Sequence, residues 1–135
     1  FGYKNERYRE FGWASAKMDD LANCIPARLT ALLIPAAAAI LWLKPLNAFR
    51  ILFRDGRKHP SPNSGLAEAA VAGALGVQFG GLNYYFGQPS RRPTIGDALR
   101  EMNKNDIIKA ISLMFVTLTL SAILFLGFRV ILLRP

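Results

Sequence analysis

Nineteen consecutive residues without a charge, Ala110 to Phe128, constrain this chain more than any other feature. As a helix they span about 28 Å, close to the roughly 30 Å hydrocarbon core of a bilayer. Arg129 and Arg134 flank the run, which reads as a transmembrane helix. A second apolar run, Leu29–Leu43, is bounded by Arg28 and Lys44 and interrupted by Pro35. Its 15 residues give about 22 Å of helix, so it reads as a kinked short span or a re-entrant segment buried among other helices. Residues 66–80 are a third candidate membrane segment. Ala69/Gly73, Ala72/Gly76 and Gly76/Gly80 are small residues four apart, a spacing that lets helices approach closely in a membrane. The expected fold class is all-α: a multi-pass integral membrane helical bundle with short amphipathic helices and ordered loops, residues 1–135 forming part of one membrane-embedded domain.

The charge balance agrees with a membrane location. Seventeen Lys and Arg against 9 Asp and Glu leave +8, on a chain of positive mean hydropathy, +0.21. Nucleic-acid binding is the rival explanation of such a charge, but the apolar runs are too long for a small basic reader domain and no nucleic-acid signature is present. If Leu29–Leu43 and Ala110–Phe128 both span, residues 44–109 share one face and carry ten Lys or Arg, which the positive-inside rule places in the cytoplasm. A re-entrant first segment instead puts the basic residues of 1–28 on that same side. A single cysteine, Cys24, rules out an intrachain disulfide, and a single histidine argues against a zinc site, which needs several N or S ligands. The chain starts without Met and without a signal peptide, and reads as the interior of a longer protein.

Between the apolar runs lie the polar segments. Tyr3, Tyr8, Phe11 and Trp13 stand among charges, and a helix is expected from about Trp13 to Cys24. Asp19, Asp20 and Asn23 then fall within one turn of each other. Pro45–Phe53 reads as a short amphipathic helix near the headgroups. Gly80-Gly81 reads as a break, Asn83–Gly87 as an aromatic turn and Gln88–Pro93 as a second basic loop. An amphipathic helix is expected from Gly96 to about Lys109.

The segment from Arg54 to Gly65, Arg-Asp-Gly-Arg-Lys-His-Pro-Ser-Pro-Asn-Ser-Gly, concentrates the chemistry. Two prolines and two glycines make it a defined turn-forming loop. Its Arg and Lys residues suit phosphate or carboxylate oxygens, and Asn63-Ser64-Gly65 leads into a helix start, where free N–H groups favour an anion. The plainer reading is a basic loop facing lipid headgroups. No Walker loop, dinucleotide fingerprint or nucleophile elbow is present. A cation cluster (Arg28, Arg54, Arg57, Lys58) with separated carboxylates (Asp19, Asp20, Asp55, Glu68) suits phosphate-bearing substrates held through Mg²⁺. The competing reading makes Asp19-Asp20 a solvated helix face or a partner of Lys17 or Arg28, and Glu68 a helix-start charge.

Several blocks carry a resemblance. Tyr3–Thr30, with its Asp-Asp…Asn…Pro-Ala-Arg pattern, and Arg54–Gly65, with His-Pro-Ser-Pro-Asn-Ser-Gly, resemble the adenosylcobinamide-phosphate synthase family of cobalamin biosynthesis, the CobD/CbiB proteins. Glu68–Gly81, Tyr85-Phe-Gly87 and Arg92–Gly96 fit the same pattern, so the likeness runs nearly end to end. It implies a multi-pass protein of the cell membrane, more than twice this length, of which this chain is the C-terminal portion lacking the N-terminal helices; the fragment alone is then an inactive or partial enzyme.

The implied reaction joins adenosylcobyric acid to (R)-1-aminopropan-2-ol phosphate through an amide, giving adenosylcobinamide phosphate with consumption of ATP and with Mg²⁺. On that resemblance Asp19, Asp20 and Glu68 are expected to ligate Mg²⁺, with Asn23 supporting. Arg28, Arg54, Arg57 and Lys58 are expected on phosphate or the corrinoid carboxylate, and Asn63 and Ser64 on an anion at the helix start. His59 is the acid/base residue, since imidazole titrates near neutrality, and Asp55 joins Asp19 and Asp20 in the catalytic set. Membrane lipids are the other expected contact, and homo-oligomerisation is left open. A non-catalytic membrane sensor (AmpE-like) or a scaffold for soluble corrinoid enzymes are the alternative classes.

Overall fold

The computed structural model describes residues 9–85 and 87–133. Tyr3, Tyr8, Phe86 and Arg134, on which parts of the sequence reading rest, lie outside the described residues. In chain order the elements are helices α1 (Arg9–Ala22), α2 (Cys24–Ile40), α3 (Pro45–Asp55) and α4 (Ser64–Leu75), strands β1 (Phe79–Tyr85) and β2 (Gln88–Ile95), and helix α5 (Asn105–Leu132).

Helix α4 is the centre. Ala69, Ala70, Ala72, Gly73, Ala74 and Leu75 are all buried. The main core joins it to Ala31, Ile34, Ala37 and Ala38 of α2, Ala48 and Leu52 of α3, and Leu113 of α5. A second cluster, Ile51, Ala69, Ala72 and Ile95, fastens the hairpin to α3 and α4. The small residues serve close approach: a Cβ added at Gly73 would stand 2.6 Å from the Asn47 carbonyl oxygen and 2.7 Å from Ala48 Cα. Because both obstacles are backbone, we expect Gly73→Leu to cost about 3 kcal/mol or more. Gly127→Leu, where an added Cβ meets nothing within 4 Å, should leave the unfolding temperature in detergent unchanged or slightly raised. Equal losses in the two variants would dismiss the close-packing argument.

Four expectations need correction. The fold is mostly helical but not all-α, because β1 and β2 form an antiparallel ribbon with Gly81 opposite Arg92, Asn83 opposite Ser90 and Tyr84 opposite Pro89. The aromatic turn and second basic loop are its two strands. Gly80 and Gly81 sit at φ 84° and 82°, beside the register irregularity between Phe79 and Gly81; a two-stranded ribbon also has free edges on which Pro89 and Pro93 lose no ladder bond. Residues 66–80 are not one apolar helix: α4 has 12 residues, about 18 Å, and its small residues are spent in the core.

The helix expected from Gly96 begins only at Asn105. The Asp106 carboxylate receives the Arg100 guanidinium and the Asn103 N–H (2.9 Å), and Asn103 Oδ1 accepts the Asn105 N–H (2.9 Å). These side-chain acceptors close a turn that a helix through Arg100 could not make. Arg100 Nη2 also donates to the Leu75 carbonyl at 3.0 Å, tying the end of α4 to the start of α5. Finally, the break in the N-terminal helical region lies at the α1–α2 junction, a bend of 46°, while α2 continues through Pro35.

Helix α5 is the one helix among the described residues long and apolar enough to cross a membrane, with α1 and α2 together passing the same test as a bent pair. Leu113 and Thr117 rest on the core, whereas residues 122–133 are exposed on every side. Trp42, Leu46 and Phe53 also stand exposed at the α2–α3 corner and along α3.

Candidate active site

The loop from Gly56 to Asn63 separates two clefts, its first part (Lys58, His59, Pro60) lining one and its last part (Ser61, Asn63) the other. Its path is tight. A Cβ at Gly65 would lie 2.6 Å from His59 Cβ, so the start of α4 is pressed against the loop it follows.

The first cleft, about 280 Å³, lies between the α1–α2 junction and the start of α4. Asp19, Asp20 and Asn23 line it from one side and Ser61, Asn63 and Ser64 from the other. Asn63 Nδ2 donates to the Asp20 carbonyl at 2.7 Å, which joins two blocks 43 residues apart. Asn23 Nδ2 donates to Asp19 Oδ1 at 2.9 Å, and Ser64 Oγ to Ser61 Oγ at 3.2 Å. The i,i+4 spacing read from sequence thus holds, and the residues converge on the loop rather than on solvent alone. Carboxylate, amide and hydroxyl oxygens are the hard donor set a divalent cation such as Mg²⁺ accepts.

The second cleft, about 200 Å³, lies between the loop, α4 and the hairpin. Lys58 and His59 line it with Glu68 of α4 and Asn83 and Arg92 of the hairpin. His59 Nδ1 accepts the Ser61 N–H at 3.0 Å, so the neutral ring carries its proton on Nε2, and Nε2 stands 3.9 Å from Glu68 Oε2. This corrects one expectation: Glu68 does not join Asp19 and Asp20, because the first turns of α4 direct it to the hairpin side. Among the described residues no group of three His, Cys, Asp or Glu is gathered closely enough to hold a metal by itself.

The expected cation cluster is also divided. Asp55, fully buried at the end of α3, receives Arg54 through both oxygens (Nε 2.8 Å, Nη2 2.7 Å), Lys58 Nζ (2.8 Å) and the Gly96 N–H (2.8 Å). Arg54 Nη1 and Arg50 Nη2 reach Asp97 at 2.7 and 3.1 Å. The Arg54 guanidinium, ahead of the Lys58 and Gly96 donors, holds the Asp55 carboxyl well below the usual carboxylate range. Asp55 and then Asp97 raise the Arg54 guanidinium in return. Asp55 therefore clamps the loop to the hairpin, enclosed by its donors, and Arg54 is engaged by both carboxylates. Arg28 turns back to Cys24, 2.7 Å from both its carbonyl oxygen and Sγ, away from the other cations. Arg57 is exposed and forms no ion pair among the described residues.

Sequence reasoning missed Asp97, Asn83 and the Gly96 N–H. Their only signal was position inside or beside the Tyr85–Gly96 region, whose strand character the glycines and prolines concealed.

The described residues are mostly helical, with one helix long and apolar enough to cross a membrane and two polar clefts sharing a loop. The particular family is explicit in the comparisons: the CobD/Cbib protein family model matches residues 1–114, and the chain belongs to that family. It is 64% identical over 102 residues to a cobalamin biosynthesis protein CobD from Geobacter metallireducens, covering 76% of this chain and 32% of that protein. It is 50% identical over 132 residues to the CobD of Clostridium perfringens (98% and 42%) and 49% identical over 128 residues to the CbiB of Salmonella typhimurium (95% and 40%). The chain thus spans less than half the length of these relatives. No solved structure matches it.

Proposed function

We propose that this chain works in cobalamin biosynthesis, as part of a membrane-embedded synthase that joins (R)-1-aminopropan-2-ol phosphate to adenosylcobyric acid through an amide. The observation that carries this reading is the convergence of Asp19, Asp20 and Asn23 with Ser61, Asn63 and Ser64 on one cleft, beside a second cleft of different charge. An amide ligation needs two sites: one to activate a carboxylate and one to deliver an amine.

In the proposed arrangement Asp19 and Asp20 hold Mg²⁺, which usually takes only one or two carboxylates and completes its shell with waters and substrate phosphates. MgATP bound there would supply the phosphoryl group that activates the carboxylate, with ADP leaving in that step and phosphate leaving as the amine forms the amide. Ser61, Asn63 and Ser64 hydrogen-bond anionic oxygens at the start of α4, where the first N–H groups of a helix lack intrahelical partners and the Ser64 N–H meets Ser61 Oγ at 3.4 Å. Arg57, exposed on the loop, is assigned to a corrinoid carboxylate or phosphate. His59 presents Nε2–H to the second cleft and is assigned proton transfer there; an unchanged pH–rate profile in His59→Gln would remove that role. Helix α5 is placed across the bilayer, where its exposed apolar faces meet lipid or neighbouring membrane helices.

The test is product formation by mass spectrometry. Membranes holding the chain, alone or co-expressed with the N-terminal part of a full-length relative, receive adenosylcobyric acid, aminopropanol phosphate and MgATP. Adenosylcobinamide phosphate is expected in the membrane fraction of the co-expressed sample. No product in either sample, with the chain folded, would overturn the synthase reading in favour of a sensor or scaffold.

A further inference from the structure

The second cleft carries opposite charges on its two sides. Glu68 approaches from α4 with His59 Nε2 at 3.9 Å. Lys58 and Arg92 line the hairpin side, where Lys58 Nζ reaches the Thr94 carbonyl of β2 at 3.4 Å. Lys58 has three donors; Asp55 and Thr94 account for two, leaving one for a ligand. Asn83 adds an amide able to donate or accept. A cleft built only to attract a phosphate has no use for a carboxylate in its wall, since like charges this close repel. A cleft built only for a cation has no use for Lys58 and Arg92. The combination matches a small zwitterion with an ammonium at one end and a phosphate at the other. Its volume, about 200 Å³, suits a molecule of this size.

We propose that this cleft is the binding site of the amine donor, a short aminoalkyl phosphate, with Glu68 taking the ammonium and Lys58 and Arg92 the phosphate. The proposal rests on the synthase reading above and moves Glu68 from metal ligation to recognition of the amine. The Gly56–Asn63 loop then lies between the amine and the cleft assigned to activation, with Lys58 and His59 lining one and Ser61 and Asn63 the other.

The test is equilibrium binding to the purified chain in detergent, read without turnover. The probes are (R)-1-aminopropan-2-ol phosphate, isopropyl phosphate lacking the ammonium, and 1-aminopropan-2-ol lacking the phosphate. The whole molecule is expected to bind about tenfold or more tightly than either half, as befits loss of one charge-assisted contact. Glu68→Gln should weaken the aminoalkyl phosphate about tenfold and leave isopropyl phosphate within about twofold. Arg92→Gln should weaken both phosphate-bearing probes. Equal binding of the aminoalkyl phosphate and isopropyl phosphate, or a Glu68→Gln loss shared by both, would overturn the proposal. The probe series on the unaltered chain stands even if a variant fails to fold. Absence of aminoalkyl phosphate binding in a preparation that makes product would sink this site and spare the synthase reading; the selective Glu68 effect without any product would do the reverse.

Discussion

Asp55→Asn is expected to destabilise the fold by about 2–4 kcal/mol, a large part of the roughly 5–15 kcal/mol that holds a domain together. The carboxylate is fully buried and collects Arg54, Lys58 and the Gly96 N–H. An amide there keeps the shape but turns an N–H₂ group towards donors, leaves Lys58 without its counter-charge and leaves Arg54 with Asp97 alone. Breaking a fully buried pair costs about 3–5 kcal/mol. The figure is set lower because Arg54 and Lys58 are partly exposed, so water screens them. Asp97→Asn, at a more exposed pair, should cost no more than about 1 kcal/mol.

The same clamp dictates a pH response. The folded-state carboxyl of Asp55 titrates below its ordinary value, so its stabilisation is fully present above the unfolded value of about 3.9 and fades as pH falls below it. Denaturant unfolding of the unaltered chain and the Asn variant should therefore converge towards strongly acid pH. A constant gap down to such pH would show that Asp55 does not act through its charge.

Replacing Asp19 and Asp20 together by Asn should lower product formation by roughly a hundredfold or more while leaving the unfolding midpoint almost unchanged. Asp19 is exposed and Asp20 half-buried, so neither charge supports the core. Loss of the charges that hold a metal ion removes several kcal/mol of transition-state stabilisation, and each 1.36 kcal/mol is tenfold in rate. A weakened ion site should also raise the Mg²⁺ concentration needed for half-maximal rate. Full activity at ordinary Mg²⁺ would remove both residues from the catalytic set. Because Asp20 meets Asn63 through its backbone carbonyl, the junction between the two blocks survives the substitution, and lost rate could not be blamed on that contact.

Most of the helices, and the two local groups that meet at the first cleft, were legible for a shared reason. Asp19, Asp20 and Asn23 are one helical turn, and Asn63-Ser64 opens α4, so local rules bring each set together before tertiary structure matters. The long uncharged run found α5 by length alone. The hairpin was hidden because its signal is alternation, and Gly80, Gly81, Pro89 and Pro93 replace the side chains that would have shown it. The division of the cations was hidden because it depends on Asp97 and Gly96, some forty residues beyond Arg54, and no local pattern anticipates which carboxylate a guanidinium will find. Glu68 was assigned to the wrong neighbours for a similar reason: proximity in sequence to the Ser64 helix start says nothing about which side of α4 a residue will face.

Helix α4 has a consequence for how this chain tolerates change. Its buried positions are almost all alanine and glycine, residues that surrender little or no rotamer freedom on folding and offer no large group to trim. Most cores fail by excavation, when a leucine becomes an alanine. Along α4 failure comes instead by swelling, since nearly every replacement along Ala69–Ala74 adds volume where helices are already in close contact. A saturation library through the chain should accordingly show a short interval that rejects bulky and polar residues alike, with serine as the gentlest intruder, set between flanks that accept far more.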